Sequence, residues 1–267
     1  MTRMAFNLFR PFGNEEPRRD ARGRLVGIDR YQDVLGRNWK RFLLSGLCTL
    51  AGFLPFAAGV AYAILSSSVL VLLPAGILGG AVAGPFLAGL YDTVLRALRD
   101  APGSWGENYR KALRQNWRGA LLPGALTGLF LATGAFAGMM LFAWSAVWPS
   151  VGTICIYLFS WLLFFAISTL YWPQFVLFEQ SNLVRLRNVL LLALTYFWRV
   201  LGTAALQLAF WLLMVLFAPW TLLLLPVAAI WFIVFETLFL LYDDLEKAFH
   251  LEEQIAEQFP DQPVRRD

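Results

Sequence analysis

Residues that could hold a metal or build a disulfide framework are scarce in this sequence. It has one histidine, His250, and two cysteines, Cys48 and Cys155, so no zinc site of ordinary Cys/His spacing is present. The two cysteines lie in apolar segments that start from opposite faces of a membrane, at depths that differ by about 10 Å, beyond the reach of a disulfide. We therefore predict no metal, no cofactor and two unpaired cysteines in the helix core.

Charge is scarce as well. Charged residues make up 15% of the 267 residues and hydrophobic residues 58%, with a mean hydropathy of +0.58. Soluble domains carry about a quarter charged residues, so the composition predicts an all-α polytopic membrane protein. The nucleophile-elbow, P-loop and zinc-protease motifs are absent, as is a carboxylate pair placed for glycoside hydrolysis. We therefore predict no catalytic residues and no enzyme activity.

Apolar segments divide the chain into three parts. Residues 1–38 form an arginine-rich N-terminal segment, mostly irregular, with a short helix predicted at residues 28–37. Residues 39–242 form a transmembrane domain, and residues 243–267 an acidic tail. Crossing a bilayer takes about 20 residues. Six segments qualify, at about 39–62, 69–91, 119–142, 151–178, 189–217 and 221–242.

Lysine and arginine are confined to alternate connections. Ten lie in residues 1–41, six in 92–118, three in 178–199 and three in 243–267, which accounts for all 22. The loops near residues 63–68, 143–150 and 218–221 carry none. The positive-inside rule then predicts that both termini and the two long loops are cytoplasmic. Anionic lipids of the inner leaflet, and not nucleic acid, are the predicted partners of the basic loops.

Small residues recur every four positions in the second apolar segment. They are Gly76, Gly80, Gly84 and Ala88. This spacing places them on one face of a helix, where small residues let two backbones approach closely in lipid. We interpret the strip as a helix-packing surface; a ligand path lined by glycine-rich helix is the alternative.

The first, third and fifth apolar segments begin alike. The three stretches read YQDVLGRNWKRFLLSG from residue 31, YRKALRQNWRGALLPG from residue 109 and LLLALTYFWRVLG from residue 190. Their tryptophans, Trp39, Trp117 and Trp198, are 78 and 81 residues apart, which is a regular period. An internal repeat of three tandem hairpins, each preceded by a cytosolic amphipathic helix, is predicted. The alternative is that an aromatic residue beside a cation recurs at any inner interface.

Two sets of ionisable residues are candidates for function. Glu236 is the one acidic residue well inside an apolar segment, and an intramembrane carboxylate is a functional-site hypothesis by default because of its cost. The alternatives are hydration from the cytosol or a pair with Arg199 or Arg96. Asp92 and Arg96 have the spacing of a helical ion pair, which is either a solvated helix end or part of a site.

Residues 84–117, GPFLAGLYDTVLRALRDAPGSWGENYRKALRQNW, resemble the YesL-like family of bacterial six-helix membrane proteins. The residues at matching positions are Ala88, Arg96, Glu107, Tyr109, Asn116 and Trp117. The long arginine-rich start departs from the family's brief one. Because members are bacterial and are linked with carbohydrate uptake in Gram-positive bacteria, the resemblance implies a protein of the bacterial plasma membrane. It further implies a transporter or transport-accessory protein that works with other membrane transport components. A membrane scaffold or lipid-organising protein is the alternative.

Overall fold

The computed structural model of the chain describes residues 19, 25–251 and 253. The regular elements of these residues are helices: α1 (Ile28–Leu65), α2 (Val69–Leu98), α3 (Trp105–Gly138), α4 (Val151–Leu177), α5 (Asn182–Thr195), α6 (Phe197–Leu216) and α7 (Ile230–Phe249). A π-helical stretch, Met139–Trp144, continues α3, and a 3-10 stretch, Trp220–Leu224, and a π-helical stretch, Leu225–Ala229, lead into α7. Most of the arginine-rich segment predicted at residues 1–38, and of the tail predicted at residues 243–267, lies outside the described residues.

Five helical stretches are long and apolar enough to cross a membrane. They are Ile28–Leu65, Val69–Leu98, Trp105–Trp144, Val151–Leu177 and Phe197–Leu216. A sixth crossing is formed if Trp220–Ala228 and Ile230–Phe249, which are bent by 63°, count as one span. For the described part of the chain, the prediction of an all-helical fold with several helices able to span a membrane is confirmed.

The helices depart from the apolar segments in three ways. The helix predicted at residues 28–37 is the beginning of α1, and residues 105–118 are the beginning of α3, so each amphipathic stretch runs into its span without a break. The segment predicted at residues 189–217 is instead divided between α5 and α6 at Tyr196, where φ is −111° and ψ is 36°. The last segment is irregular around Pro226, which lacks the backbone N–H that a regular helix uses.

The second half of α2 lies at the centre of the bundle. This helix contacts α1, α3, α4 and α7, and every residue from Ala88 to Leu98 except Arg96 is buried. Its apolar side chains join those of α1, α4, α5, α6 and α7 in the main hydrophobic cluster. Tyr91, for example, stacks on Trp172 of α4 with ring centroids 6.2 Å apart. The core therefore lies at the end of the bundle where α2 finishes.

Large apolar side chains cover much of the outside. Leu70 is 86% exposed, Val151 77% and Trp220 78%. Such a surface is costly in water and costs nothing against lipid tails, which supports the multi-pass assignment. Cys48 and Cys155 are both free, as predicted, but Cys155 is exposed on this surface and does not lie in the core.

Small residues on both helices bring α2 and α3 together in antiparallel orientation. The α3 residues that face the α2 strip recur every four positions as well: Ala120, Gly124, Gly128 and Ala132. A Cβ added at Gly80 would lie 2.6 Å from the Cα of Gly128. One added at Gly124 would lie 2.8 Å from the Cα of Gly84. Because backbone fills the space along this part of the strip, it is a packing surface and not a ligand path.

Gly80→Ala should lower the thermal stability of the purified protein. The new methyl group meets backbone, so the helices must separate, and overpacking of this kind costs about 1–3 kcal/mol. The matched control is Gly202→Ala in α6, where an added Cβ has no atom within 4 Å. It should be neutral or slightly stabilising, because alanine is the better helix former. Thermal unfolding in one detergent compares the two variants, and equal melting temperatures would contradict the close contact.

Candidate functional site

An ion-pair cluster fixes the beginning of α1 to the end of α2. Arg30 pairs with Asp100 at 2.7 Å and donates to the carbonyl oxygen of Leu98 at 2.8 Å. Arg37 reaches the same aspartate at 3.1 Å, and both arginines also pair with Asp33. A cation at a helix C-terminus interacts favourably with the last carbonyl groups. The cluster therefore both caps α2 and holds the first turns of α1.

Two carboxylates at the same end of the bundle are buried, and each has an arginine. Asp92 is 4% exposed and accepts a hydrogen bond from Nε of Arg96 at 2.7 Å. Asp244, also 4% exposed, accepts from Arg199 at 3.0 Å, which joins α7 to α6. Removal of either arginine would leave a buried charge unpaired. The pair of Arg199 and Asp244 favours one arrangement of α6 and α7, whereas Asp92 and Arg96 lie in the same helix. The sequence left two interpretations of Asp92 and Arg96, a solvated helix end or part of a site. The burial of the Asp92 carboxylate does not fit a solvated helix end.

Glu236 is half-buried in α7, and its partner is a tyrosine. The hydroxyl of Tyr31 in α1 donates a hydrogen bond to its carboxylate, and the Tyr31 ring packs against Phe235 with centroids 5.3 Å apart. Neither Arg96 nor Arg199 pairs with Glu236, because each binds an aspartate, so the alternative of an arginine partner does not hold. The carboxylate thus joins α1 to α7 through a neutral donor.

Tyr109 in α3, which matches Tyr31 in the repeat, is in a different environment. Its hydroxyl is buried and lies near Cys48 and Thr49 of α1. Its ring stacks on Trp105 with centroids 5.4 Å apart and lies over Gly89, where an added Cβ would be 2.7 Å from the ring. Tyr109 therefore packs α3 against α1 and α2 at the point where Gly89 leaves room for it.

A hydroxyl network that sequence reasoning missed joins the same three helices. The indole N–H of Trp105 donates to Ser45 Oγ at 2.7 Å, and Ser45 donates to Thr93 Oγ1 at 2.9 Å. Ser45 and Thr93 are buried. Small hydroxyl residues inside long apolar segments are the signal that points to such contacts, since they need partners away from water.

The remaining residues that carry the family resemblance differ in burial. Ala88 is fully buried, whereas Trp117 is 47% exposed, as is its repeat counterpart Trp39. Glu107 is exposed in the first turn of α3 and accepts from the Ser104 hydroxyl at 2.8 Å, and Asn116 is half-buried. The beginning of α3 also presents exposed cations to its surroundings: Arg110, Lys111, Arg114 and Arg118.

Comparison of the chain with protein-family models, with curated proteins and with solved structures found no significant match.

Tyr31→Phe should destabilise the protein by about 1–3 kcal/mol, because it removes the donor from a half-buried carboxylate. Glu236→Gln should be nearly neutral, since the amide oxygen still accepts from Tyr31 and the cost of desolvating a charge disappears. Thermal unfolding in detergent measures both variants. In a Glu236→Leu background, Tyr31→Phe should cost less.

The control for the lost hydroxyl is Tyr62→Phe, because Tyr62 is 63% exposed. If Tyr31→Phe is as benign as Tyr62→Phe, the hydrogen bond between α1 and α7 does not contribute to stability.

Proposed function

We propose that this chain is a multi-pass protein of a bacterial plasma membrane that serves carbohydrate uptake as a transporter or transport-accessory protein. The carbohydrate link rests on the resemblance of residues 84–117 to the YesL-like family. Of the two roles, the accessory role has the better support. The observation behind it is that the apolar residues among 88–98 of α2, the centre of the bundle, pack against apolar side chains of the surrounding helices. The two buried polar side chains among them, Asp92 and Thr93, are bound by Arg96 and Ser45. A carrier would be expected to line that position with a polar path.

Three tandem hairpins with both termini cytoplasmic are part of this proposal. Contacts near the predicted outer turns support them: an added Cβ at Gly59 meets Ala75, and one at Gly138 meets Tyr157. The three turns between these helices carry no lysine or arginine, whereas the ion pairs of α1, α2, α6 and α7 lie at the opposite end of their helices. The positive-inside rule assigns that opposite end to the cytoplasm.

Single cysteines in a Cys48→Ala, Cys155→Ala background test this orientation. Cysteines that replace Ser67, Ser150 and Ala218, all exposed, should react with an impermeant maleimide in intact cells. A cysteine at Gly106, which is exposed and has no atom within 4 Å of an added Cβ, should react only after the membrane is permeabilised. Labelling at Gly106 in intact cells would reverse the topology.

Uptake of labelled mono- and oligosaccharides by cells that lack the protein tests the function. Loss of the protein should reduce uptake of its cognate carbohydrate severalfold, and the wild-type chain should restore it. If the accessory role is right, Glu236→Gln should also restore uptake, because no proton or substrate passes this carboxylate. A triple variant should fail to restore uptake, because an accessory protein works through its cytosolic surface. Its substitutions are Arg110→Gln, Lys111→Gln and Arg114→Gln.

The opposite pattern, in which Glu236→Gln fails and the surface variant restores uptake, would favour a carrier with a working intramembrane carboxylate. Unchanged uptake of every sugar without the protein would reject the carbohydrate role.

A membrane scaffold that organises lipid is the second candidate. It is favoured by α5, a helix that exposes apolar side chains such as Leu183 at 82% and Leu194 at 74%, and by the cationic beginning of α3. Amphipathic surfaces of this kind bind at interfaces rich in anionic lipid. Normal uptake together with an altered distribution of anionic lipid in cells without the protein would favour this function.

A further inference from the structure

The beginning of α3 carries more cations than membrane anchoring requires. Each of the three aligned stretches, which begin at residues 31, 109 and 190, has one cation directly after its tryptophan: Lys40, Arg118 and Arg199. A membrane interface explains these three, because an aromatic residue beside a cation anchors a span there. Three further cations of α3 are not repeated: Arg110, Lys111 and Arg114. The aligned residues are Gln32, Asp33 and Gly36 in α1 and Leu191, Leu192 and Thr195 in α5.

Arg110, Lys111 and Arg114, here called the α3 basic face, lie on one side of the helix. At about 100° per residue they occupy less than a third of the helix circumference. All three are exposed. Glu107, one turn earlier, is held by the Ser104 hydroxyl, so three positive charges and one negative charge leave a net charge of +2. Three carboxylates at this end of the bundle bind other arginines: Asp92, Asp100 and Asp244.

The α3 basic face extends beyond the depth of lipid headgroups. Because α3 runs without a break from Trp105 into its span, its beginning continues in the direction of the span. Arg118 follows Trp117 at the headgroup level, and Leu122, 56% exposed, begins the apolar surface. Arg110 precedes Arg118 by about 12 Å along the helix axis, whereas the headgroup layer is only about 5–8 Å thick. Helical side chains also lean toward the N-terminus, which takes these cations farther from the lipid.

We propose that the α3 basic face is the docking surface for an acidic stretch of a cytoplasmic protein. The proposal rests on the accessory role and on the cytoplasmic orientation of this end of the bundle. Carboxylates suit both the planar forks of two arginines and the point charge of a lysine. Opposite charges across an interface also guide association and exclude wrong partners. An anionic lipid reaches Arg118 but not Arg110, because its phosphate stays in the headgroup layer.

Photo-crosslinking in living cells tests this surface. A benzophenone amino acid at Gly106, one turn before Arg110, should give a discrete protein adduct, because this position is exposed and an added Cβ has no atom within 4 Å. Neutralising the α3 basic face with Arg110→Gln, Lys111→Gln and Arg114→Gln should lower the adduct yield at least about tenfold, since charge-assisted hydrogen bonds are lost. A control that removes three exposed cations elsewhere should leave the yield within about twofold. Its substitutions are Lys40→Gln, Arg187→Gln and Lys247→Gln.

Charge reversal then tests the chemistry of the partner. Mass spectrometry of the adduct should identify a protein with an acidic stretch at the contact. Glutamate at positions 110, 111 and 114 should abolish the adduct, and lysine substitutions in the acidic stretch should restore it. The proposal is overturned by an adduct with lipid alone, by no adduct, by equal losses in the control, or by no restoration on charge reversal.

Failure of the docking surface and failure of the carbohydrate role give different results. If cells without the protein take up every sugar normally while the charge-dependent adduct forms, the α3 basic face stands and the carbohydrate role is rejected. If loss of the protein reduces uptake and no charge-dependent adduct forms, the docking surface is rejected and the carbohydrate role stands.

Discussion

The backbone contact between α2 and α3 is the constraint on which the rest of the structure depends. Helices in lipid gain little from hydrophobic burial, because lipid tails are as apolar as their own side chains, so close packing has to hold them. The facing glycines supply that packing, and on the other side of α2 a Cβ added at Gly79 would lie 2.5 Å from the Cα of Phe56 in α1. With α1 and α3 held so closely, the second half of α2 has no lipid-facing side and becomes the core.

Polar contacts then determine how the outer helices are arranged around α2. Tyr31 ties α1 to Glu236 of α7, and Arg199 ties α6 to Asp244 of the same helix. Polar groups are costly to leave unpaired away from water, so each contact favours one arrangement of its two helices.

Sequence reasoning found what depends on segment length and local spacing. Apolar runs indicated the spans, and the four-residue period of Gly76, Gly80 and Gly84 indicated a contact face. It did not find what depends on pairing. The partner of Glu236 is 205 residues away in the chain, and hydropathy does not report which helix faces meet. The division at Tyr196 has no glycine or proline to mark it, and Cys155 was placed in the core because an apolar run does not distinguish lipid from protein as the neighbour.

Hydrogen–deuterium exchange of the protein in nanodiscs tests the central position of α2 most directly. The account predicts that the amides of residues 88–98 exchange far more slowly than those of residues 105–117 at the exposed beginning of α3, because slow exchange follows burial and packing. Both stretches lie at the same end of the bundle, so membrane depth alone would protect them alike. Equal exchange rates in the two stretches would contradict the account.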